Sequence, residues 1–233
     1  MTTKIYSYIL RYDDGAAPNP FWDICTLTIC KPAIRRIANI GDWIIGTGSK
    51  NAEYEQGKTE NFADSLVYAM KVTDKKTLAE YDKHCETQLQ NKIPNWRTKD
   101  WRLRMGDCIY DFAVGQQQPT LRQGVHNEEN KARDLSGQFA LLSNHFYYFG
   151  VSARPLPDDL KQLIKISQGH KIIEQPDLIE KFEKWIKQFE QNKIYDDPQL
   201  RWKFDREATE KIIAECAQQH FDDDENESYE SVC

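Results

Sequence analysis

The sequence lacks a hydrophobic run long enough to cross a membrane. No stretch approaches about 18 consecutive uncharged apolar residues, the length at which a transmembrane helix becomes a candidate. The first ten residues contain one lysine and a strand-like pattern, with neither the apolar segment nor the small-residue cleavage site of a signal peptide. These absences predict a cytoplasmic protein with no membrane segment.

The sequence also lacks the spacings typical of metal sites, disulfide frameworks and phosphate loops. Its six cysteines include no C-x-x-C pair, so we expect reduced thiols, with Cys25, Cys30 and Cys108 as small core residues. His126 and Glu128 match the H-x-E motif of zinc deaminases, but the P-C-x-x-C that completes that site is missing. Walker, G-x-G-x-x-G and G-x-S-x-G motifs are absent as well. The sequence therefore predicts no metal and no bound cofactor.

Charge of one sign is in excess only near the C-terminus. The chain has 31 basic and 37 acidic residues, a net charge of −6. Six acidic and no basic residues lie in 222–233, whereas the first 150 residues carry a net charge of +1. The acidity thus belongs mostly to a tail that we predict to be disordered. It does not exclude a nucleic-acid ligand for the rest of the chain, although it argues against broad, salt-driven coating of duplex DNA.

What the sequence does contain is enough apolar material for one sizeable core. Hydrophobic residues make up 39% and aromatic residues 12% of the 233 residues, which excludes a mostly disordered chain. Predicted strands are 4–12, 25–30, 43–49, 66–72, 108–112 and at least one within 138–149. Predicted helices are 33–38, 77–89, 158–167, 177–191 and 198–220. Residues 50–61 and most of 91–136 are expected to be irregular, and the order of elements favours an α+β fold.

Aromatic and basic residues cluster in two places, 11–36 and 143–150. Aromatic rings stack on bases and basic side chains neutralise phosphates, so both clusters suggest nucleotide contacts. Phe21 and Trp22 stand in a loop, where large apolar side chains need a partner or a pocket wall. The second cluster is more simply explained as a half-buried strand. The first cluster comprises Arg11, Tyr12, Asp13, Asn19, Phe21, Trp22, Lys31, Arg35 and Arg36.

Five motifs in the sequence are APNPF, CKPAIRR, GDWIIGTGS, GDCIYDF and LLSNHFYYFG, which begin at residues 17, 30, 41, 106 and 141. Together they resemble the second nucleotide-modification-associated domain family, in the EVE and YTH branch of the PUA-like superfamily. The resemblance implies a PUA-like α+β fold: a mixed, strongly curved sheet or partial barrel with flanking helices. It covers most of residues 4–170. We therefore expect a PUA-like domain at 1–172, a C-terminal helical extension at 173–221 and the acidic tail at 222–233.

The resemblance also implies a concave pocket for a modified or flipped base. Phe21 or Trp22 would stack on the base, and Ser49 or Asn19 would hydrogen-bond to it. The phosphate contacts would come from Lys31, Arg35 and Arg36. The predicted pocket comprises Arg11, Tyr12, Asn19, Phe21, Trp22, Thr47, Gly48 and Ser49 and, less directly, Tyr68 and His145.

Three functions remain open from the sequence. The first is recognition of a modified or flipped nucleobase, in a DNA-modification or phage-defence context. The second is an enzyme acting on nucleotides or modified bases, with Asp13, Asp42 or His145 as acid–base groups and Arg11 as an electrostatic stabiliser. No nucleophile and base lie at a diagnostic spacing, and Asp13 and Asp42 also fit ordinary turns. The third is a partner-binding subunit that makes its contact through the C-terminal helices.

Overall fold

The computed structural model describes residues 2–55, 57–113, 118–166 and 169–201, together with positions 215, 217 and 218. The strands are β1 (Ile5–Leu10), β2 (Cys25–Leu27), β3 (Trp43–Gly48), β4 (Ala52–Glu55), β5 (Lys58–Glu60), β6 (Ser65–Lys71), β7 (Asp74–Thr77), β8 (Tyr110–Asp111), β9 (Thr120–Leu121), β10 (Phe139–Ser143), β11 (Phe146–Tyr148), β12 (Arg154–Pro155), β13 (His170–Ile173) and β14 (Lys193–Ile194). The α-helices are α1 (Pro32–Ile37), α2 (Leu78–Thr87), α3 (Trp101–Arg104), α4 (Glu128–Ser136) and α5 (Pro176–Ile186). Short 3-10 helices cover Gln90–Lys92, Gly150–Ser152 and Asp158–Leu163.

A seven-stranded mixed sheet lies at the centre of this fold. Its order is β13-β1-β3-β6-β11-β14, with β12 also paired to β6. β1 and β3 run parallel, whereas β3 and β6 are antiparallel and their register shifts after Gly46. Among the described residues the sheet does not close into a barrel, since its two edge strands are not paired with each other. The predicted α+β class is confirmed.

The remaining strands form a second, smaller sheet and two hairpins. β2, β10 and β7 form the three-stranded sheet, with β10 antiparallel to both of its neighbours. β8 and β9 pair in one hairpin, and β4 and β5 pair in the other. The expectation of an irregular loop at 50–61 was wrong. The hairpin there is missed because its residues are polar and largely exposed, so the sequence carries no apolar alternation.

Strand alternation divides the hydrophobic residues between the two faces of the main sheet. Tyr8 of β1 packs on one side with Ile34 of α1 and Leu141 of β10. Ile5 of the same strand packs on the other side with Phe182 of α5. Both faces are therefore covered, the first by α1 and the smaller sheet and the second by α5.

Two α-helices, α3 and α4, lie in the segment that was expected to be irregular, and α4 is the longer of the two. A capping box starts it: the Asn127 side chain accepts the Glu129 backbone N–H at 2.9 Å, and Asn130 accepts the Asn127 N–H at 3.0 Å. Its nine residues contain few apolar side chains, so periodicity gave no signal. α2, by contrast, was predicted at 77–89 and begins at a capping box of Thr77 and Glu80.

Residues 170–194 add two strands to the main sheet. β13 pairs with β1 and β14 pairs with β11, and α5 between them confirms the helix predicted at 177–191. The helix predicted at 158–167 is instead a 3-10 helix that ends at Leu163. Most of the helix predicted at 198–220 lies outside the described residues, as does the whole tail at 222–233.

Asp13 joins the N-terminal loop to the chain after β14. Its carboxylate accepts hydrogen bonds from the Tyr148 hydroxyl at 2.5 Å and from the Gln199 backbone N–H at 3.3 Å. Burial nevertheless raises the pKa of Asp13 to about 7. The folded protein therefore keeps a proton on Asp13 up to about pH 7, whereas the unfolded chain releases it near pH ~4.

The raised pKa of Asp13 makes folding stability depend on pH. Its contribution is complete below about pH 4 and is lost as pH rises through about 7. In the unsubstituted protein, Asp13 makes the free energy of unfolding decrease between about pH 5 and 8. We expect this decrease to be about 2 kcal/mol smaller in Asp13→Asn. Urea unfolding across this range measures the effect, with exposed Glu180→Gln as the control. The same pH slope in Asp13→Asn and in the unsubstituted protein would contradict the assignment.

Candidate functional site

The predicted base pocket is not assembled around one cavity. Asn19 is buried, donates to the Met105 carbonyl at 2.8 Å and accepts from Lys92 Nζ at 2.6 Å. Phe21 is buried edge-on against Trp101, with ring centroids 5.3 Å apart. Of this group only Trp22 keeps part of its ring exposed. Asn19 and Phe21 therefore support the loop from inside.

The strand side of the predicted pocket is also filled. Thr47 is buried and donates to the Tyr8 carbonyl at 3.3 Å, and the Tyr68 hydroxyl lies 2.8 Å from that of Tyr8. A Cβ on Gly48 would overlap Phe62, so this glycine permits close packing rather than ligand access. These three residues belong to the interior of the fold.

Three further pocket residues, Arg11, Tyr12 and Ser49, lie nearer the surface. Arg11 is exposed and its guanidinium carbon lies 5.7 Å from the ring of its neighbour, Tyr12. Ser49 is partly buried at the start of the β4–β5 hairpin. The structure thus places the predicted pocket residues in three separate environments.

The basic residues of α1 face the protein rather than solvent. Arg35 is fully buried and donates to the carbonyls of Cys30 at 2.8 Å, Asp134 at 2.6 Å and Phe139 at 3.0 Å. This arrangement corrects the predicted phosphate contact of Arg35. Arg36 is partly buried and donates to the Ser136 carbonyl at 3.0 Å.

The predicted acid–base residues lie apart from one another. Asp42 accepts the Lys4 and Asn39 backbone N–H groups at 2.9 Å each, so it stabilises its turn. His145 packs edge-on against Trp43, and its pKa is lowered by burial and by the nearby ammonium of Lys71. Asp13 lies at the loop junction described above. No two of these groups converge on one substrate position.

The structure instead brings together three residues that the sequence left apart: Cys30, His126 and Asp134, here called the Cys30 triad. Cys30 Sγ lies 3.4 Å from His126 Nε2. His126 Nδ1 lies 2.6 Å from Asp134 Oδ2. Thiol, imidazole and carboxylate thus stand in the order of a nucleophile, its base and the group that orients the base.

The state of Asp134 fixes the tautomer of His126. Burial acts to raise the pKa of Asp134, but His126, Arg35 and the Tyr110 hydroxyl outweigh burial, and the pKa lies below its usual value. An ionised carboxylate can only accept hydrogen bonds, so His126 Nδ1 carries a proton and donates. When the ring is neutral, Nε2 therefore carries no proton, and its lone pair points at Cys30 Sγ.

Local structure holds the triad in place. Cys30 and Lys31 both have left-handed backbones, with φ of 57° and 42°, between β2 and α1. The Cys30 N–H donates to Asp134 Oδ1 at 3.1 Å, and the Tyr110 hydroxyl donates to Oδ2 at 2.7 Å. Left-handed non-glycine residues cost free energy and cluster at functional sites. The strained turn therefore presents Cys30 to a base on a different element.

Lys31 completes the surroundings of the triad. It follows Cys30 directly, is buried, and holds its ammonium 5.1 Å from the centre of the Tyr8 ring. Lys31 is thus a cationic residue next to Cys30 in the chain.

Sequence reasoning missed the triad for two reasons. Cys30 and His126 are 96 positions apart, so no local motif links them. Asp134 lies on α4, which carried no apolar period. The sequence offered one signal, the H-x(7)-D spacing from His126 to Asp134. This spacing includes the capping box at Asn127, which was not recognised.

Comparison with known families gives one match. The model of the family described as nucleotide modification associated domain 2 matches residues 2–206. The chain belongs to this family. The match includes all three triad residues and extends past residue 170, where the resemblance in the sequence ended. No curated protein and no solved structure matches the chain.

The described part of the chain lacks two further features. No helix there is both long and apolar enough to cross a bilayer. No group of three or more His, Cys, Asp or Glu side chains there could hold a metal ion.

Gly137 is required by the position of Arg35. A Cβ at this position would overlap the guanidinium carbon and both terminal nitrogens of Arg35. We expect Gly137→Ala to displace Arg35 and to lower the free energy of unfolding by about 1–3 kcal/mol. Urea unfolding measures this change. Exposed Ala132→Ser on α4 is the control, expected to stay within about 0.5 kcal/mol, and equal stability of the two variants would contradict the tight fit.

Proposed function

We propose that the protein is an enzyme of nucleotide or nucleic-acid modification that uses Cys30 as its nucleophile. The observation that carries the proposal is the continuous series of short contacts from Cys30 Sγ through His126 to Asp134. Membership of a nucleotide-modification-associated family supports a nucleotide or a nucleobase as the substrate. The acid–base groups predicted from sequence are replaced by His126 in this proposal.

The proposed chemistry follows from the positions of the protons. The Cys30 thiol gives its proton to His126 Nε2, and the thiolate attacks an electrophilic carbon of the substrate, forming an S–C bond. The electron pair of the broken substrate bond goes to the leaving atom, or to the adjacent atom in an addition. His126 then returns its proton to that atom. For turnover, a water molecule that gives a proton to His126 attacks the same carbon, the S–C bond breaks with its electron pair on sulfur, and His126 returns the proton to the Cys30 thiolate. Asp134 remains a carboxylate and stabilises the imidazolium.

Lys31 gives this proposal its preference for an anionic substrate. Lys31 follows Cys30 directly in the chain, and its ammonium lies over the Tyr8 ring. A buried cation near a reacting thiol favours the thiolate and attracts phosphate. Lys31 therefore remains a proposed phosphate contact, whereas Arg35 does not.

Recognition of a modified or flipped base is a second candidate function, and Trp22 is the observation that favours it. Trp22 is partly exposed, and among the described residues its indole N–H has no hydrogen-bond partner. The face of an aromatic ring can stack on an unpaired base. The PUA-like placement, the phage-defence context, the cytoplasmic location and a protein partner for 173–221 stay predictions.

The thiol chemistry can be tested without a known substrate. Iodoacetamide should modify Cys30 faster than Cys25, because burial raises the pKa of Cys25 to about 12. We expect His126→Asn to slow the modification of Cys30 at least about tenfold, since the base is lost. Peptide mass spectrometry after timed quenching measures both rates. Equal rates at the two cysteines, or a rate at Cys30 that does not change in His126→Asn, would count against an activated thiol.

The substrate is sought with a panel of nucleotides and of modified and unmodified oligonucleotides. Intact-protein mass spectrometry should detect an adduct on Cys30 with a reactive substrate, and product mass spectrometry should detect turnover. We expect Cys30→Ser to lower turnover at least about a hundredfold, while Cys25→Ser leaves it within about twofold. Turnover by Cys30→Ser at the rate of the unsubstituted protein would refute nucleophilic catalysis by this residue.

A further inference from the structure

A second set of side chains, from the loop after β1 and from the residues around α3, combines aromatic and basic groups. It consists of Trp22, Trp96 and residues 97–104, and is called here the Trp22 surface. We infer that the Trp22 surface binds single-stranded nucleic acid, with an unpaired base on Trp22. The inference rests on the second proposed function, base recognition, and adds to it the class of polymer and the contacts of the backbone.

The chain segments of the Trp22 surface are held together by the fold. The Asn95 backbone N–H donates to the Leu103 carbonyl at 2.8 Å, which folds 95–103 back on itself. Trp101 of α3 packs edge-on against Phe21, next to Trp22. The guanidinium carbon of Arg102 lies 5.1 Å from the centre of the Trp22 ring. The surface is therefore formed in the folded protein without any ligand.

Both tryptophans present hydrogen-bonding groups that the protein leaves unused. Among the described residues, neither the Trp22 nor the Trp96 indole N–H has a hydrogen-bond partner, although both nitrogen atoms are shielded from solvent. Buried polar groups without partners are rare and call for an explanation. Trp22 and Asp23 also have consecutive left-handed backbones, with φ of 67° and 62°. Strain of this kind at an aromatic side chain is typical of a ligand site.

A cavity of about 450 Å³ lies beside the Trp22 ring. Such a volume falls in the range of small-molecule sites and suits one base with part of its sugar. The amides around it can hydrogen-bond to the edge of any base, whereas the ring provides a stacking surface. Its lining residues are Trp22, Asp23, Thr87, Gln88, Leu89, Gln90 and Asn91.

The charge of the Trp22 surface differs from that of the whole chain. Residues 97–104 contain four basic residues and one acidic residue in a protein with a net charge of −6. Arg102 forms an ion pair with Asp100 at 2.7 Å, and Arg104 donates to the Thr98 carbonyl at 2.8 Å. The side chains of Arg97 and Lys99 are exposed. These two are the proposed phosphate contacts.

A single strand fits this surface better than a duplex. Stacking on Trp22 requires a base that has left its own stack, and an unpaired strand offers one at little cost. Two exposed cations supply only a small part of the neutralisation on which non-specific duplex binding depends. The surface therefore favours a short unpaired segment of DNA or RNA.

The test measures binding by fluorescence anisotropy with labelled 12-nucleotide DNA and RNA of the same sequence, a hairpin duplex and a nucleoside monophosphate. We expect both single strands to bind at least about tenfold more tightly than the duplex and the monophosphate. Arg97→Gln combined with Lys99→Gln should weaken strand binding about tenfold and reduce the salt slope by about two. Trp22→Leu should weaken it about tenfold as well.

The matched control is Lys181→Gln combined with Lys184→Gln, which removes two exposed charges from α5 and should leave binding unchanged. Strand binding that persists in the Arg97 and Lys99 double variant, or tighter binding of the duplex, would overturn the inference. Trp22-dependent binding of the monophosphate with no gain for a strand would overturn it too, yet leave base recognition standing. Binding of none of the probes would remove both.

Discussion

The hydrogen bonds of Arg35 are the interaction on which the rest of the site depends. One buried guanidinium binds the carbonyls of Cys30, Asp134 and Phe139, which belong to the turn before α1, to α4 and to β10. Its planar fork satisfies three acceptors at once, a geometry that lysine cannot reproduce. Because the guanidinium is charged and dry, removing its acceptors would cost several kcal/mol, on the order of the stability of many domains. The small sheet, α1 and α4 therefore keep one relative arrangement.

The same arrangement explains how a thiol, an imidazole and a carboxylate can share a dry interior. Asp134 accepts hydrogen bonds from Cys30 N–H, Tyr110 and His126, so its charge is compensated by donors as well as by Arg35. Buried polar networks are stable only when each member has its partners. The contacts that satisfy the network also fix the geometry of the triad, so the catalysis proposed for Cys30 and the folding stability depend on the same residues.

The sequence predicted the fold better than the site. Local patterns of apolar residues predict strands such as β1, β3 and β6, and an apolar stripe predicts α5. The hairpin β4–β5 and helix α4 do not, because hydrogen bonds and caps rather than apolar periodicity define them. Basic residues on α1 suggested phosphate contacts, yet a six-residue helix gives no indication that Arg35 points inward. The triad depends on contacts between residues about a hundred positions apart, which no local pattern records.

The order of the triad in the chain has a consequence for biosynthesis. A ribosome completes Cys30 long before it adds His126 and Asp134, since 96 positions separate the thiol from its base. Until α4 docks, the nascent chain carries an ordinary thiol with no base beside it. If Cys30 is the nucleophile, as proposed, fragments that end before α4, whether from interrupted translation or from proteolysis, lack the base that would activate it. The thiol then gains its base only in a chain that has been made and folded through residue 134.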